Sequence, residues 1–414
     1  MSVTQTYKHI PALRFPEFVN DGEWEMKRLG DICVVNPPSI NIPEEFFYLD
    51  LESVVAGRII GCQRIKKEEA PSRAQRSVEK YDVLFQMVRP YQQNNLFFTL
   101  ENNQYIASTG YAILRAKEGL SDSGFIYQLV HTGDFLSQVM QRCTGSNYPA
   151  ISSSSLEEIV VPFPPLAEQK RIAECLSAMD DMMAECNNKL EQLKCHKKGL
   201  MQQLFTLISG GGNSLIPRLR FPEFNNAKEW EIKKLGDCFT ERVERNAIEL
   251  PLLSLTESDG IVLQEETNRK NNSNADKSKY LRVYIGDIAY NTMRMWQGRC
   301  ALVAIEGIVS PAYTICKPNV DMNPYFFYYL FKTSQMIEAF HGNSQGLVND
   351  TLNLKYDSFA KINAHAPLLD EQNYIADCLF SADEIINLYS EKIALLFQYK
   401  KGLLQQMFPN STMN

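Results

Sequence analysis

The sequence has little of what membrane insertion or metal binding requires. No apolar run approaches the ~20 residues of a membrane span, and the first residues lack the apolar core of a signal peptide. The ten cysteines include no pair spaced as CxxC, and the five histidines are scattered. This usage is typical of reduced thiols in a cytoplasm and gives no metal-site signal. We therefore expect a cytoplasmic protein without a metal of its own.

Catalytic motifs are also missing. The sequence contains no phosphate-binding loop with its lysine, no HExxH and no GxSxG. Residues 36–39, NPPS, are similar to the Asn-Pro-Pro-aromatic motif of adenine methyltransferases, but Ser39 lacks the ring that would stack on a flipped base. No glycine-rich cofactor loop precedes this motif. We expect a chain that performs no chemistry and binds no cofactor itself.

The third deficit is positive charge. The net charge is −7, whereas nucleic-acid binders usually carry a basic footprint. Any contact with nucleic acid would therefore come from local basic clusters and not from a global field. The 414 residues, 44% hydrophobic and 22% charged, are enough for two to four globular domains.

What the sequence does contain is an internal repeat. LRFPEF at 13–18 returns at 219–224, and EW and the KxLGD segment follow in both copies at the same offset of 206 residues. PPLAEQKRIAECL at 164–176 matches PLLDEQNYIADCL at 367–379, and KKGLMQQLF at 197–205 matches KKGLLQQMF at 400–408, both at an offset of 203. The chain therefore contains two copies of one sequence pattern, and any prediction of its fold must account for both.

Two stretches within the repeat have heptad spacing. Steps of four and three, preceded by Pro165 and Pro367, predict long helices with an apolar seam. The seam residues are Ile172, Leu176, Met183, Leu190, Leu193, Lys197, Leu200, Leu204, Ile375, Leu379, Ile386, Tyr389, Ile393, Leu396, Lys400, Leu403 and Met407. Each helix could pack on its own domain, but two equal stripes favour a mutual coiled coil, which a twofold relation makes antiparallel.

An antiparallel pair with full overlap sets Ile172 near Met407 and Lys197 near Ala382. Lys197 and Lys400 are matched lysines at seam positions, where a stem can lie in the seam while the ammonium reaches out. Two interpretations stay open for them. They fix the register of the helices, or they contact a partner protein or a phosphate.

The regions between these landmarks read as mixed structure. Strands are predicted at 81–89, 111–116, 286–294 and 312–318, and helices at 124–142 and 324–340. The spacing from Asp82 to Arg89 equals that from Asp287 to Arg294, although the surroundings differ. The predicted fold is α+β, with two mixed α/β domains in a pseudo-twofold repeat joined by two long antiparallel coiled-coil helices. The predicted boundaries are 1–163 for the first domain, 164–208 for the central helix, 209–365 for the second domain after a glycine-rich linker at 209–214, and 366–414 for the last helix.

Basic and amide side chains cluster in both mixed domains. Arginine suits the O6/N7 edge of guanine, and Asn or Gln suits the N6/N7 edge of adenine, so these are residue types that read the major groove of DNA. A solvated loop is the simpler interpretation of any one cluster, but clusters at the same place in two copies favour DNA contact. The candidate residues are Arg64, Lys66, Lys67, Arg73, Arg76, Arg89, Tyr91, Gln92, Gln93, Asn94, Asn268, Arg269, Lys270, Asn291, Arg294, Trp296, Gln297 and Arg299.

The duplicated order of LRFPEF, EW, KxLGD, a variable region, a PLxEQ-like segment and a heptad helix ending in KKGL resembles the specificity subunits of type I restriction–modification systems. The resemblance covers nearly the whole chain. YNTMRMWQG at 290–298 and IVSPAY at 308–313 also look like second-domain sequences of that family, whereas FQMVRPYQQ at 85–93 departs from it.

The resemblance implies a function. The mixed domains would be target recognition domains that each read half of a bipartite, asymmetric site in double-stranded DNA. The helices would set their separation and dock two methyltransferase subunits, which carry S-adenosylmethionine. Restriction, or motor, subunits that use ATP and magnesium would complete an adenine-N6 DNA methyltransferase and ATP-dependent endonuclease. Two alternatives stay open: a stand-alone bipartite DNA-binding regulator, and a protein scaffold that reads no DNA.

Overall fold

The first half of the chain folds into short strands and helices that lead to one long helix. The computed structural model describes residues 9–39, 42–101, 104–206, 215–256, 260–267, 276–346, 348 and 351–409. In order, the elements are β1 (Glu25–Arg28), α1 (Leu29–Ile32), β2 (Cys33–Val35), β3 (Glu45–Leu49), β4 (Val54–Val55), β5 (Arg58–Ile59), β6 (Gln63–Lys66), β7 (Ala74–Ser77), β8 (Val83–Gln86), β9 (Leu96–Phe97), β10 (Tyr105–Ser108), β11 (Tyr111–Ala116), α2 (Ser123–Leu129), α3 (Gly133–Arg142), α4 (Ser153–Glu157), β12 (Val160–Phe163) and α5 (Leu166–Leu204).

The second half repeats this order with fewer strands among the described residues. Its elements are β13 (Glu231–Lys234), α6 (Leu235–Cys238), β14 (Phe239–Glu241), β15 (Leu253–Leu255), β16 (Ile261–Leu263), β17 (Leu281–Val283), β18 (Ile288–Asn291), β19 (Cys300–Leu302), β20 (Gly307–Val309), β21 (Tyr313–Pro318), α7 (Pro324–Leu330), α8 (Ser334–Asn343), α9 (Tyr356–Phe359), β22 (Asn363–Ala366) and α10 (Leu369–Met407). The predicted mixed α/β domains with two long helices are confirmed.

The chain forms two compact units, and each takes a part of both long helices. Unit 1 consists of Met1–Asn187 and Glu391–Asn414, and unit 2 of Asn188–Ser390. The boundaries between the units therefore fall inside α5 and α10, not at the helix ends where the sequence pattern changes.

One four-stranded sheet recurs in both units. Its strand order is β2-β11-β8-β9 in unit 1 and β14-β21-β18-β19 in unit 2. The central strand β8 pairs antiparallel with β11 from Tyr111↔Gln86 to Leu114↔Val83, and β18 pairs in the same way with β21. Unit 1 adds a second sheet of order β6-β3-β10-β7, where unit 2 has the pairs β15–β16 and β17–β20.

The central strands have apolar surroundings on both faces. Successive side chains of a strand point to opposite faces, so Val83 and Phe85 join one apolar core of unit 1 and Leu84 joins another. In unit 2, Ile288 and Ala289 are divided between two cores in the same way. These strands are therefore fixed from both sides and provide a rigid base for the turns that follow them.

A buried aspartate holds the start of each central strand. Asp82 accepts two hydrogen bonds from Arg115, both of 2.8 Å, and Asp287 accepts two from Arg242, of 2.8 and 3.2 Å. Arg115 lies on β11, whereas Arg242 follows β14, so the two arginines come from neighbouring strands of equivalent sheets. The equal spacing seen in the sequence therefore marks one structural position.

The predicted helices at 124–142 and 324–340 are each two helices. α2 ends at Leu129, and Thr132 caps α3, where its hydroxyl accepts from the Phe135 amide at 3.3 Å. Thr333 does the same between α7 and α8, accepting from Met336 at 3.4 Å. The apolar periodicity continues across the turn because both helices pack on the same core. The sequence pattern therefore predicted one continuous helix in each case.

The long helices run antiparallel within each unit. In unit 1, Ile172 and Leu176 of α5 share a core with Leu403 and Met407 of α10. In unit 2, Leu200 and Leu204 share a core with Ile375 and Leu379. Lys197 pairs with Asp383 at 2.5 Å, one residue from the predicted neighbour Ala382. In both units, the residue numbers increase along one helix where they decrease along the other, as antiparallel packing requires.

The repeated LRFPEF segment ties two helix ends to its unit. Arg14 donates to both carboxylate oxygens of Glu168, near the start of α5, at 2.7 Å each. The Leu13 amide donates to the carbonyl of Gln406, near the end of α10, at 2.9 Å. In unit 2, Arg220 binds Glu371 at 2.8 and 2.7 Å, and Leu219 donates to Gln203 at 2.9 Å. We call this arrangement the helix-end clamp.

We expect the clamp to contribute strongly to stability. The side chains of Arg14 and Glu168 are 5% and 1% exposed, and removing one member of a buried pair leaves an uncompensated charge. Arg14→Ala should lower the unfolding free energy of unit 1 by about 3–5 kcal/mol. The measurement is chemical denaturation of the whole chain, followed by a probe in each unit.

The matched control is Arg28→Ala, which breaks a pair with Glu158 that is 60% and 58% exposed. Exposed pairs of this kind contribute about 0–1 kcal/mol. Equal destabilisation by the two substitutions would contradict a special role for the clamp.

Candidate nucleic-acid interface

The central strand of each recurring sheet is followed by the same turn. In unit 1, Arg89 precedes a one-turn 3-10 helix, Pro90–Gln92, which Gln93 ends. In unit 2, Arg294 precedes Met295–Gln297, which Gly298 ends. Amide-to-carbonyl bonds of 3.0 Å join Gln92 to Arg89 and Gln297 to Arg294. We call these two segments the matched turns.

The matched turns place equivalent side chains at equivalent positions. Arg89 corresponds to Arg294, Tyr91 to Trp296 and Gln92 to Gln297. An arginine, an aromatic ring and an amide are the groups that bind guanine, stack on bases or sugars, and bind adenine. The structure thus shows that these two sequence clusters occupy corresponding turns in the two units.

The turn of unit 1 stacks its arginine on a tyrosine that the sequence analysis did not select. The guanidinium of Arg89 lies 4.3 Å from the ring centroid of Tyr148. Tyr148 is 64% exposed and Tyr91 is 51% exposed, so both rings face solvent. The Nε of Arg89 is buried and has no hydrogen-bond partner among the described residues. Arg89 also has a φ of 53°, a strained conformation for a side chain other than glycine.

The amides around this turn are partly used by the fold. The Asn94 side-chain oxygen accepts from the amide of Ala56 at 3.1 Å, and Gln92 accepts from Gln86 at 2.8 Å. Gln93 is half-buried and, like Arg89, has a left-handed backbone, with a φ of 52°. Of the predicted amides here, Gln92 is the exposed one.

Three of the predicted basic residues share one face of the second sheet of unit 1. Directly paired residues lie on the same face, and Arg64 pairs with Phe47, Lys66 with Glu45 and Arg76 with Ala107. Arg64 also forms an exposed ion pair with Glu45 at 3.0 Å. β6 and β7 are the two edges of this sheet. Lys67 and Arg73 follow β6 and precede β7, and both are exposed.

Arg76 is more buried than the other four basic residues of this sheet, and no carboxylate in the part of the chain that the structure describes pairs with it. Its Nε is buried without a hydrogen bond, and burial lowers the pKa of its guanidinium. A partly buried cation of this kind is stabilised by an anion, and a DNA phosphate is one such anion.

The turn of unit 2 borders a cavity of about 310 Å³ lined by Thr256, Gln297, Arg299 and Lys332 among others. The ring of Trp296 meets that of His341 edge-on at 5.8 Å, and its Nε1 donates to the carbonyl of Met293 at 3.1 Å.

Two other predicted residues of unit 2, Arg294 and Asn291, do not line this cavity. Arg294 is exposed, and the Asn291 side chain accepts from the Met293 amide at 2.9 Å. Asn268, Arg269 and Lys270 lie outside the described residues.

Both seam lysines form ion pairs with an aspartate that also accepts a hydrogen bond from α2 or α7. Lys400 binds Asp180 at 2.6 and 2.7 Å, and Gln128 of α2 donates to the same carboxylate at 2.9 Å. In unit 2, Asp383 receives both Lys197 and the hydroxyl of Tyr329, on α7, at 2.8 Å. Burial, and after it this hydrogen bond, raise the pKa of Tyr329. The two aspartates therefore also fasten α2 and α7 to the long helices.

In unit 1 a hydrogen-bonded path runs from α2 to the matched turn. His131 donates from Nδ1 to the carbonyl of Tyr127 at 2.7 Å, and its Nε2 lies 3.5 Å from the Asn95 amide nitrogen. The Asn95 oxygen accepts from the Gln86 amide at 2.9 Å. Burial lowers the pKa of His131 to about 4, and the Tyr127 carbonyl partly opposes that shift.

We expect unit 1 to lose stability in mild acid. A histidine with a depressed folded-state pKa is protonated in the unfolded chain below about 6.5 but not in the folded chain until about 4. Stability should fall as pH drops through this window, by up to roughly 3 kcal/mol. The measurement is the difference in unfolding free energy between the wild type and His131→Gln from pH 7 to 4. A constant difference would contradict the assignment.

Among the helices that the structure describes, none combines the length and apolarity needed to cross a membrane. Within the same residues, no three His, Cys, Asp or Glu side chains form a group able to hold a metal ion.

Residues 21–194 match the sequence model of a family described as "Type I restriction modification DNA specificity domain". The chain is 28% identical over 210 residues to the type I restriction enzyme MjaVIII specificity subunit of Methanocaldococcus jannaschii, a match that covers 49% of this chain and 45% of the relative. It is 26% identical over 275 residues to the putative MjaX specificity subunit of the same organism, covering 62% of this chain and 60% of the relative. The chain thus spans about half the length of these relatives.

Solved structures share the fold. The S subunit of the type I restriction–modification system from M. genitalium aligns with a TM-score of 0.61 at 15% identity, covering 97% of this chain and 100% of that one. A chain from a study of the assembly and conformational transition of the type I R-M system aligns with a TM-score of 0.55 at 19% identity, covering 94% and 98%. The chain thus shares its fold with these structures, and its sequence is similar to type I restriction–modification specificity subunits over the residues given above.

Proposed function

We propose that this chain selects the DNA site of a type I restriction–modification complex, and that each unit reads one half of a bipartite, asymmetric site. The observation that carries the proposal is the pair of matched turns. In both units the central strand of the recurring sheet leads to a one-turn 3-10 helix, and this helix with the residue before it contains arginine, an aromatic ring and glutamine, although Arg89 has a left-handed backbone and Arg294 does not. The residues around the two matched turns differ. Corresponding turns with different neighbouring residues suit two half-sites of different sequence.

Candidate phosphate contacts also support the proposal. Arg76 has a buried Nε without a partner among the described residues, and exposed Lys66, Lys67 and Arg73 lie in the same unit. Such contacts orient a protein on a duplex, whereas base contacts specify the sequence. With a net charge of −7, this chain depends on its partners for much of its attraction to DNA.

The partners would be two methyltransferase subunits docked on the long helices, and restriction subunits in the full complex. Large apolar side chains on α10 support docking, since Leu395, Phe397 and Tyr399 are 70%, 59% and 64% exposed, and exposed apolar groups of this kind mark interaction surfaces. S-adenosylmethionine, ATP and magnesium would belong to the partners. The complex would methylate adenine at N6 and cut DNA in the cytoplasm, whereas this subunit would be non-catalytic.

Mapping of methylated adenines tests the proposal. DNA from a host that carries this chain with its neighbouring methyltransferase should show methylated adenines in an interrupted sequence with two short, unlike halves. The same host without this chain is the control. A continuous site, or no site-specific methylation, would overturn the proposal.

Substitutions in the matched turns should affect separate half-sites. Arg89→Ala should relax one position of the half read by unit 1, and Arg294→Ala one position of the half read by unit 2. Loss of a good base contact should cost about 1–3 kcal/mol. The measurement is methylation rate across a library of randomised sites, and each variant is the control for the other. An equal loss at all sequences would instead indicate a phosphate contact.

A further inference from the structure

The glutamines of the two matched turns, Gln92 and Gln297, occupy equivalent positions but have different surroundings. Behind Gln92 stands Gln86, the last residue of β8, which is 2% exposed. The corresponding residue of unit 2, the last of β18, is Asn291, whose oxygen accepts from the nearby amide of Met293. The contacts of Gln86 determine what Gln92 can offer to a ligand.

Two backbone groups fix the orientation of the Gln86 carboxamide. The amide of Asn94 donates to Oε1 of Gln86 at 3.1 Å, and Nε2 of Gln86 donates to the carbonyl of Val88 at 2.8 Å. A backbone amide only donates and a backbone carbonyl only accepts. The oxygen and nitrogen of Gln86 therefore cannot be exchanged without the loss of both hydrogen bonds.

The fixed Gln86 in turn fixes Gln92. The second hydrogen of Gln86 Nε2 is donated to Oε1 of Gln92 at 2.8 Å. Because this contact requires an acceptor, the oxygen of Gln92 points inward and its NH2 group points away from Gln86. Gln92 itself is exposed, so this NH2 group is the part of the carboxamide available to a ligand.

Gln297 is not held in this way. Its Oε1 is buried and accepts no hydrogen bond from the described part of the chain, and its side chain lines the cavity of about 310 Å³. Rotation about the last side-chain bond exchanges its oxygen and nitrogen at little cost, because that torsion is broad. Gln297 is therefore not restricted to donation and can present its acceptor as well as its donor.

We infer that Gln86 is a positioning residue that restricts Gln92 to hydrogen-bond donation toward DNA, whereas Gln297 offers both a donor and an acceptor. The inference rests on the proposed function. In the major groove guanine shows two acceptors, N7 and O6, whereas adenine shows the N7 acceptor beside the N6 donor. Gln92 thus favours a base edge that accepts, such as that of guanine, and Gln297 favours adenine.

The test uses the complex of this chain with its methyltransferase subunits and a library of randomised DNA sites. Lysine only donates and glutamate only accepts. Gln92→Lys should keep the preferred base at its position, while Gln92→Glu should reduce the preference by about tenfold or more, within the range of one lost base contact. Gln297→Lys, the matched variant, should change its preferred base, because it removes the acceptor.

Gln86→Met tests the positioning role directly. Without its partner, Gln92 turns freely, so discrimination at this one position of the first half-site should relax while the second half-site stays unchanged. Thermal melting of the variant shows whether unit 1 remains folded. If it does not, the two Gln92 variants decide, because that side chain is exposed.

Four results would overturn the inference while leaving the proposed function intact. They are a changed base preference with Gln92→Lys, no effect of Gln92→Glu, an unchanged base preference with Gln297→Lys, and undiminished discrimination by a folded Gln86→Met. Failure of the proposed function is distinct, since the wild-type complex would then select no sequence from the library.

Discussion

The buried arginine–glutamate pair of the helix-end clamp is the interaction on which the architecture depends. Arg14 and Glu168 lie 154 residues apart, and Arg220 and Glu371 lie 151 apart. Each pair is almost completely removed from water, where a charge without its partner is strongly unfavourable. Because the adjacent leucine also binds the end of the other long helix, neither unit can form without parts of both helices. LRFPEF is duplicated because this joint is needed twice.

The matched turns rest on strands that are enclosed on both sides. β8 and β18 send alternate side chains into two cores, and Asp82 and Asp287 fix where they begin. Tyr91, Gln92 and Arg294, which follow these strands, are exposed, so they can change without a penalty in the core. Binding groups on rigid elements are held more precisely than groups on loops. This arrangement explains how two units with one frame can present different contact residues.

The seam ion pairs connect that frame to the long helices. A lysine at a heptad position is unfavourable without a partner, and both lysines find an aspartate on the opposite helix. Each aspartate also accepts from the first helix after the recurring sheet, through Gln128 in unit 1 and Tyr329 in unit 2. The donor side chain therefore differs between the two units, but in both units it attaches the same helix to the aspartate. Register and domain attachment are thus set by the same group.

The sequence by itself determined the features that recur at a fixed interval. The offsets of 206 and 203 residues revealed the duplication. The heptad steps predicted two long helices, because the apolar stripe of a helix has to be buried against another part of the protein. The equal spacing from Asp82 to Arg89 and from Asp287 to Arg294 already marked the matched turns. Tertiary structure alone decided which distant residues meet: Tyr148 under Arg89, Asp180 at Lys400, and Gln86 behind Gln92. Those pairings depend on the fold of each unit, since a hydrogen bond requires contact within about 3 Å and no local pattern encodes which remote side chain comes so close.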